Sequence, residues 1–206
     1  MSSPKFIKVH QSNLLFKGFF EFSELKLSHS LYKGGESEVL SREVFNRNQA
    51  VVVLLYDLKN QQVVLVEQFR AGAARNAIKA ENEEEAWLLE PVAGMIDSGE
   101  SAIEAGVRET KEETGIVVHN LEYVSQFYPS PGACDEILHL YAAEVDSTEV
   151  EAHAGKDDEG EDIKVIVMPF TEAKNKLQNA EFNVASTYIA LQLSLIHISE
   201  PTRPLH

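Results

Sequence analysis

The chain has 206 residues, 44% of them hydrophobic, a formal net charge of -15 and one cysteine, Cys134. That length and apolar content provide one sizeable core, or a core domain with a small addition, and exclude a disordered chain. The negative charge argues against nucleic acid or an anionic membrane as partner, a lone cysteine excludes an internal disulfide, and no run is long and apolar enough to span a bilayer.

Alternating runs at Leu14–Phe22 and Glu38–Phe45 predict strands of a small antiparallel unit covering residues 1–47, with Gly34-Gly35 as a turn between two of them. The continuous apolar runs Ala50–Tyr56 and Val63–Phe69, joined by the polar Asp57–Gln62, predict a buried hairpin. Ala80–Glu85 reads as a charged surface loop and Trp87–Val92 as a further strand. Ser101 followed by Glu104 has the form of a capping box, and Gly115 suits the residue just past a helix end, so a helix is predicted between them. Leu121–Phe127, Ile137–Val145 and Ile163–Met168 predict strands, and Ala152–Asp162 an acidic loop. Thr171–Asn179 and Val184–Leu195 predict helices with Thr171 and Asn183 as N-caps. There is no internal repeat. Met1–His10 has no apolar signal core, so the expected compartment is the cytoplasm. The segment LSLIHISEPTR, Leu193–Arg203, resembles the translation of a transposase adapter used in sequencing libraries. The main domain is therefore expected over 48–192, with 193–206 a non-native tail.

The chemistry concentrates in Gly94–Ile116, GMIDSGESAIEAGVRETKEETGI. Spacings of three and four place Glu109, Glu112 and Glu113 on one face of the predicted helix, where like charges repel by about 0.2–0.5 kcal/mol per pair. Crowding of this kind suggests a hard divalent cation bound through carboxylate oxygens, the alternative being a solvated acidic helix. Arg108 stands next to them and can orient a carboxylate.

The same segment resembles the Nudix box, G-x5-E-x7-R-E-U-x-E-E-x-G-U, in which U is a bulky apolar residue. Gly94, Glu100, Arg108, Glu109, Glu112, Glu113, Gly115 and Ile116 occupy its fixed positions, and Thr110 stands where the first U is expected. The resemblance implies an α/β (α+β) Nudix fold, a mixed β-sheet between helices, here preceded by the N-terminal antiparallel unit. It implies metal ligation by Glu109, Glu112, Glu113 and the backbone carbonyl of Ala93. Glu100 and Arg108 would brace the box, with Glu100 as a direct ligand the lesser reading.

Pro131, sixteen residues past Gly115, resembles the marker of the family's ADP-ribose pyrophosphatase branch, as do Gly18-Phe19-Phe20, Arg42–Arg47, Glu67–Arg70 and Glu159–Ile163. The resemblance implies that Phe19 stacks on adenine, unless it is a core aromatic, and that Arg42 and Glu43 bind adenine or ribose. Arg47 and Arg70 would take diphosphate oxygens, a surface ion pair being the alternative for Arg70. Ser130, Pro131, Gly132 and Glu136 would line the terminal ribose, and Met95 would meet substrate through its backbone. Glu159 would serve as general base on the attacking water, with Glu161 its rival. The implied cofactor is Mg2+, with Mn2+ able to substitute. The implied assembly is a homodimer with exchanged N-terminal units. The implied reaction is hydrolysis of ADP-ribose to AMP and ribose 5-phosphate. The alternatives are another substrate (a nucleotide sugar, FAD or a dinucleoside polyphosphate) or a non-catalytic nucleotide sensor.

Overall fold

The computed structural model describes residues 4–156 and 160–199, with side chains described up to residue 193. By contacts the chain forms two compact units, Met1–Gln49 with Tyr128–Ile137, and Ala50–Phe127 with Leu138–His206.

The first unit is an antiparallel sheet of three strands in the order β1 (Ile7–Lys17), β2 (Glu21–His29), β3 (Leu40–Asn46). The predicted run Leu14–Phe22 is therefore not one strand. It turns at residues 18–20, where Gly18 N donates to Phe20 O at 2.9 Å. Apolar alternation continues through this short turn, so the pattern alone does not show it. The segment 128–137 joins the unit through its backbone: Phe45 N donates to Ala133 O at 2.8 Å and Asp135 N to Phe45 O at 3.2 Å. Ile7, Val9, Leu14, Leu15 and Phe16 of β1 are exposed.

The second unit holds a larger sheet in the order β10-β11-β5-β4-β9-β8, with β6 pairing β5 and β7 pairing β4. Its strands are β4 (Gln49–Asp57), β5 (Gln62–Phe69), β6 (Trp87–Glu90), β7 (Val92–Met95), β8 (Glu122–Phe127), β9 (Ile137–Glu144), β10 (His153–Ala154) and β11 (Ile163–Pro169). Ile137 N bonds Asn48 O and Val145 N bonds Tyr56 O, so β9 runs parallel to β4, while the β4–β5 and β8–β9 pairs are antiparallel. The sheet is mixed, as the family resemblance implies. Four helices accompany it: α1 (Ala71–Lys79), α2 (Ala102–Thr114), α3 (Phe170–Gln178) and α4 (Ala185–Ser199).

The continuous apolar runs of β4 and β5 follow from burial on both faces. Val51, Val53, Leu55, Val64 and Val66 pack with Ala105 of α2. Val52, Leu54, Val63 and Leu65 pack on the opposite face with Ala173 of α3 and Ala190 and Leu191 of α4. Each fully buried side chain of this size contributes about 1.5–3 kcal/mol.

Several predicted boundaries are corrected. The β4–β5 hairpin is closed only between Leu55↔Val64 and Asp57↔Gln62. Beyond that the strands part, β4 taking β7 and β5 taking β6. Trp87–Val92 is two strands, because Pro91 has no N–H to continue a ladder. Helix α1 was not predicted, although Ala71, Ala73, Ala74 and Ala77 favour it. Ala80–Glu85, read as a loop, enters a 3-10 turn at Glu83–Ala86. The N-cap of α3 is Pro169 rather than Thr171. Helix α4 overlaps the helix predicted over Val184–Leu195 and ends four residues later, at Ser199, and residues 200–206 of the expected tail lie outside the described residues. Among the described residues no helix is long and apolar enough to cross a membrane.

Candidate functional site

The carboxylates of the second unit are set by helix α2. Ser101 caps it, accepting from Glu104 N at 3.3 Å while Glu104 Oε2 accepts from Ser101 N at 2.8 Å, which is the capping box. Gly115 ends it in the left-handed region, φ 78°, where a side chain would be strained. Thr110, at the box position expected to be bulky and apolar, is fully buried, and its hydroxyl donates to Gly106 O at 2.7 Å. The methyl group packs and the hydroxyl is satisfied within the helix, so the helix stays continuous.

Arg108 organises one end of this group. Its Nε and Nη2 fork onto Glu100 at 2.9 Å each, its Nη2 also reaches Met95 O at 3.0 Å, and its Nη1 reaches Glu109 at 2.6 Å and Glu112 at 3.3 Å. The fork ties the 95–101 loop to α2 and holds the Glu100 carboxyl below its usual range, against the opposing effect of burial. Met95 is the last residue of β7, opposite Ala50.

Glu113 is the buried member, 2% exposed, accepting from Ala93 N at 3.2 Å. Burial pushes its carboxyl well up, and the charges of Glu109 and Glu161 push the same way. The Ala93 bond and the positive charge of Arg70 oppose them without prevailing. Glu109 is raised too, first by burial and also by Glu112 and Glu161, against Arg108. Its side chain lies against Gly94, where an added Cβ would fall within the van der Waals radius of the carboxylate. Glu112 pairs with Lys156 at 2.9 Å, and Gly155 N donates to Glu112 O at 3.1 Å, so Gly155 and Lys156 are held against α2. Glu161 is partly buried, and its charge bears on both Glu109 and Glu113. Glu159 lies outside the described residues.

Neighbouring carboxylates whose charged forms burial and mutual repulsion disfavour form a hard-oxygen donor set that added positive charge would stabilise. They fit a divalent cation. Among the described residues no three candidate ligands already converge as a cage, and Arg108 and Lys156 stand among the carboxylates. Arg70 is engaged by Glu90 at 2.6 Å.

The remaining expected residues sit in the first unit. Arg47 lies over the Phe20 ring at 4.8 Å, with its Nε 3.0 Å from Glu136. That Nε–H has no directed hydrogen bond, so the contact is an ion pair held by proximity. Phe20 and Phe22 pack on Phe45. Phe19 is 83% exposed and touches Phe20 edge-on, which removes the reading as a core aromatic in the single chain. Arg42 and Glu43 are exposed on β3. Ser130, Pro131 and Gly132 form an exposed turn, with Ser130 O accepting from Cys134 N at 3.1 Å. Sequence reasoning did not single out Lys156 or Glu90. The available signal for Glu90 was a lone charge beside Leu88-Leu89 in an apolar strand.

Comparison with known proteins gives the family of the chain. The NUDIX domain matches residues 46–188, more than half of the chain, and the chain belongs to the NUDIX family. It is 37% identical over 190 residues to an ADP-ribose pyrophosphatase of Haemophilus influenzae, covering 92% of this chain and 86% of that one. It is 35% identical over 191 residues to an ADP-ribose pyrophosphatase of Escherichia coli K12, covering 93% and 88%. A GDP-mannose pyrophosphatase of Cronobacter sakazakii is 37% identical over 160 residues, covering 78% and 80%. The crystal structure of an ADP compounds hydrolase shares the fold at a TM-score of 0.68 and 20% identity, covering 96% of this chain and 97% of that one.

Proposed function

We propose that the chain hydrolyses the pyrophosphate of ADP-ribose to AMP and ribose 5-phosphate, using magnesium, with manganese able to substitute. The observation that carries the reaction is the pair of the buried Glu113 and the partly buried Glu109, close enough to repel and both pushed up by desolvation on a capped helix. ADP-ribose is favoured over GDP-mannose because similarity to the ADP-ribose enzymes spans 92% of the chain and to the GDP-mannose enzyme 78%.

Glu109, Glu112, Glu113 and the Ala93 carbonyl would hold the cation. When bound, it supplies charge neutralisation of the diphosphate and a more acidic water. Arg108 holds Glu109 and Glu112 in place and fixes the Met95 carbonyl. Arg70 and Arg47 take diphosphate oxygens. Glu159 or Glu161 accepts the proton of the water that attacks phosphorus, as the bond to the bridging oxygen breaks and that oxygen leaves with the other phosphate. The influence of Glu161 on Glu109 and Glu113 supports its nearness to the reacting centre. Phe19, Arg42 and Glu43 would serve a second copy of the chain in a dimer with exchanged first units. Support for the dimer is the exposed apolar set Ile7, Val9, Leu14, Leu15 and Phe16 on β1, which a second copy would cover. The compartment proposed is the cytoplasm, in keeping with a cysteine that is free.

Incubation with ADP-ribose and magnesium, followed by chromatography, tests the reaction. AMP is the expected product, and a folded protein that yields none overturns the assignment. A substrate panel including GDP-mannose tests the specificity. Light scattering tests the dimer, and a mass of one chain would overturn it.

A further inference from the structure

Val64, Val66 and Gln68 alternate along one face of β5, the face covered by α2. The two valines are fully buried in the apolar core. Gln68 is 5% exposed, yet its Nε2 has no hydrogen-bond partner among the described residues. A buried donor left unpaired incurs the full loss of its hydration, and an apolar residue of the same shape would avoid it. Its position in the sheet suggests why an amide stands there. Gln68 pairs with Leu88 on β6, and Val66 pairs with Glu90. Glu90 is thus the diagonal neighbour of Gln68 on the same face, a separation that long side chains bridge. The Glu90 carboxylate is mostly buried and is held by Arg70 Nε at 2.6 Å.

We propose that Gln68 is a positioning residue that takes over Glu90 when Arg70 turns to the substrate diphosphate. This rests on the assignment of Arg70 to the diphosphate. With Gln68 Nε2 donating to Glu90, the carboxylate keeps a donor and Arg70 is released without stranding a buried charge. The same amide is unpaired while Arg70 occupies Glu90, which is the state seen here.

Gln68→Met keeps the length and removes the donor. Its KM for ADP-ribose should rise about tenfold, the scale of one hydrogen bond to a charged group, with kcat within about twofold. The melting temperature without ligand should hold or rise. The KM effect should vanish in a Glu90→Gln background, where no charge is stranded. Protection against thermal unfolding by inorganic pyrophosphate should weaken in parallel, and this readout needs no turnover. An unchanged KM and unchanged protection, a lower melting temperature, or an equal loss in the Glu90→Gln background each overturns the proposal. Wild-type protein that binds pyrophosphate but leaves ADP-ribose intact would instead sink the substrate assignment, and pyrophosphate protection would then decide Gln68 alone.

Discussion

Asp57 and Glu113 are both 2% exposed carboxylates in the second unit, and their surroundings drive them in opposite directions. Burial pushes the Asp57 carboxyl up, but donors from Ser147 and Asn60 outweigh it and hold it far below the usual carboxylate range. Ser147 donates through N at 2.9 Å and Oγ at 2.7 Å, and Asn60 through N at 2.8 Å and Nδ2 at 2.7 Å. Glu113 has the 3.2 Å bond from Ala93 N and a like charge beside it, and is pushed well up. A buried charge that is fully hydrogen-bonded stabilises the β4–β5 turn. One held short of donors beside another carboxylate weakens the isolated fold and is available to a cation.

Exchanging charge for neutrality at each position sharpens this contrast, and Glu113→Gln should have the largest effect. Activity on ADP-ribose should fall by about 10³-fold or more, the scale of losing a group that stabilises charge in the reaction, while the metal-free melting temperature holds or rises. Wild-type turnover in this variant would remove Glu113 from the metal site. Gly94→Ala follows, because its Cβ would displace the Glu109 carboxylate. About a 10²-fold loss in kcat/KM with a small change in melting temperature is expected, and a fully active variant would show that Glu109 can relocate freely. Glu159→Gln and Glu161→Gln, compared in pH–rate profiles, should separate the base from its neighbour. The base variant loses the acidic limb, whereas two equal and mild losses would exclude both.

The pH dependence of stability should diverge in sign. Asp57 is depressed in the fold, so its contribution is present above the unfolded carboxylate value and is lost as pH falls through the folded one. Asp57→Asn should cost about 1–3 kcal/mol at neutral pH and flatten the acid limb of the unfolding curve, with activity retained. Glu113 is raised, so between the unfolded and the folded value the metal-free protein holds a proton there that the unfolded chain has released. Stability therefore declines as pH climbs above the ordinary carboxylate value toward the folded one. Magnesium at a hundredfold excess over its Kd should restore about 2.7 kcal/mol, seen as a rise in melting temperature that Glu113→Gln lacks. An identical magnesium response in both proteins would break the contrast.

Legibility in the sequence follows the range of the interactions. The helix from Ser101 to Gly115 was readable because its cap, its stop signal and its carboxylate face lie within a few residues of one another. The valine-rich runs were readable as strands, since burial on both faces leaves no polar alternation. The turn at residues 18–20, the break at Pro91 between two strands, and helix α1 were misread or missed. Apolar alternation hides the turn at residues 18–20, whereas the break at Pro91 and helix α1 carry local signals, a proline without an N–H and a run of alanines.

The sequence by itself determined the family, the carboxylate helix and the strand-rich character of the chain, because those rest on local spacing and composition. Tertiary structure alone decided that Glu113 is the most buried of the helix carboxylates, that Glu90 engages Arg70, that Lys156 reaches Glu112 and that Gln68 Nε2 has no hydrogen-bond partner among the described residues. Burial and hydrogen-bond partnership belong to residues that meet only when the sheet and its helices pack, and they set which of several identical carboxylates is ready for chemistry.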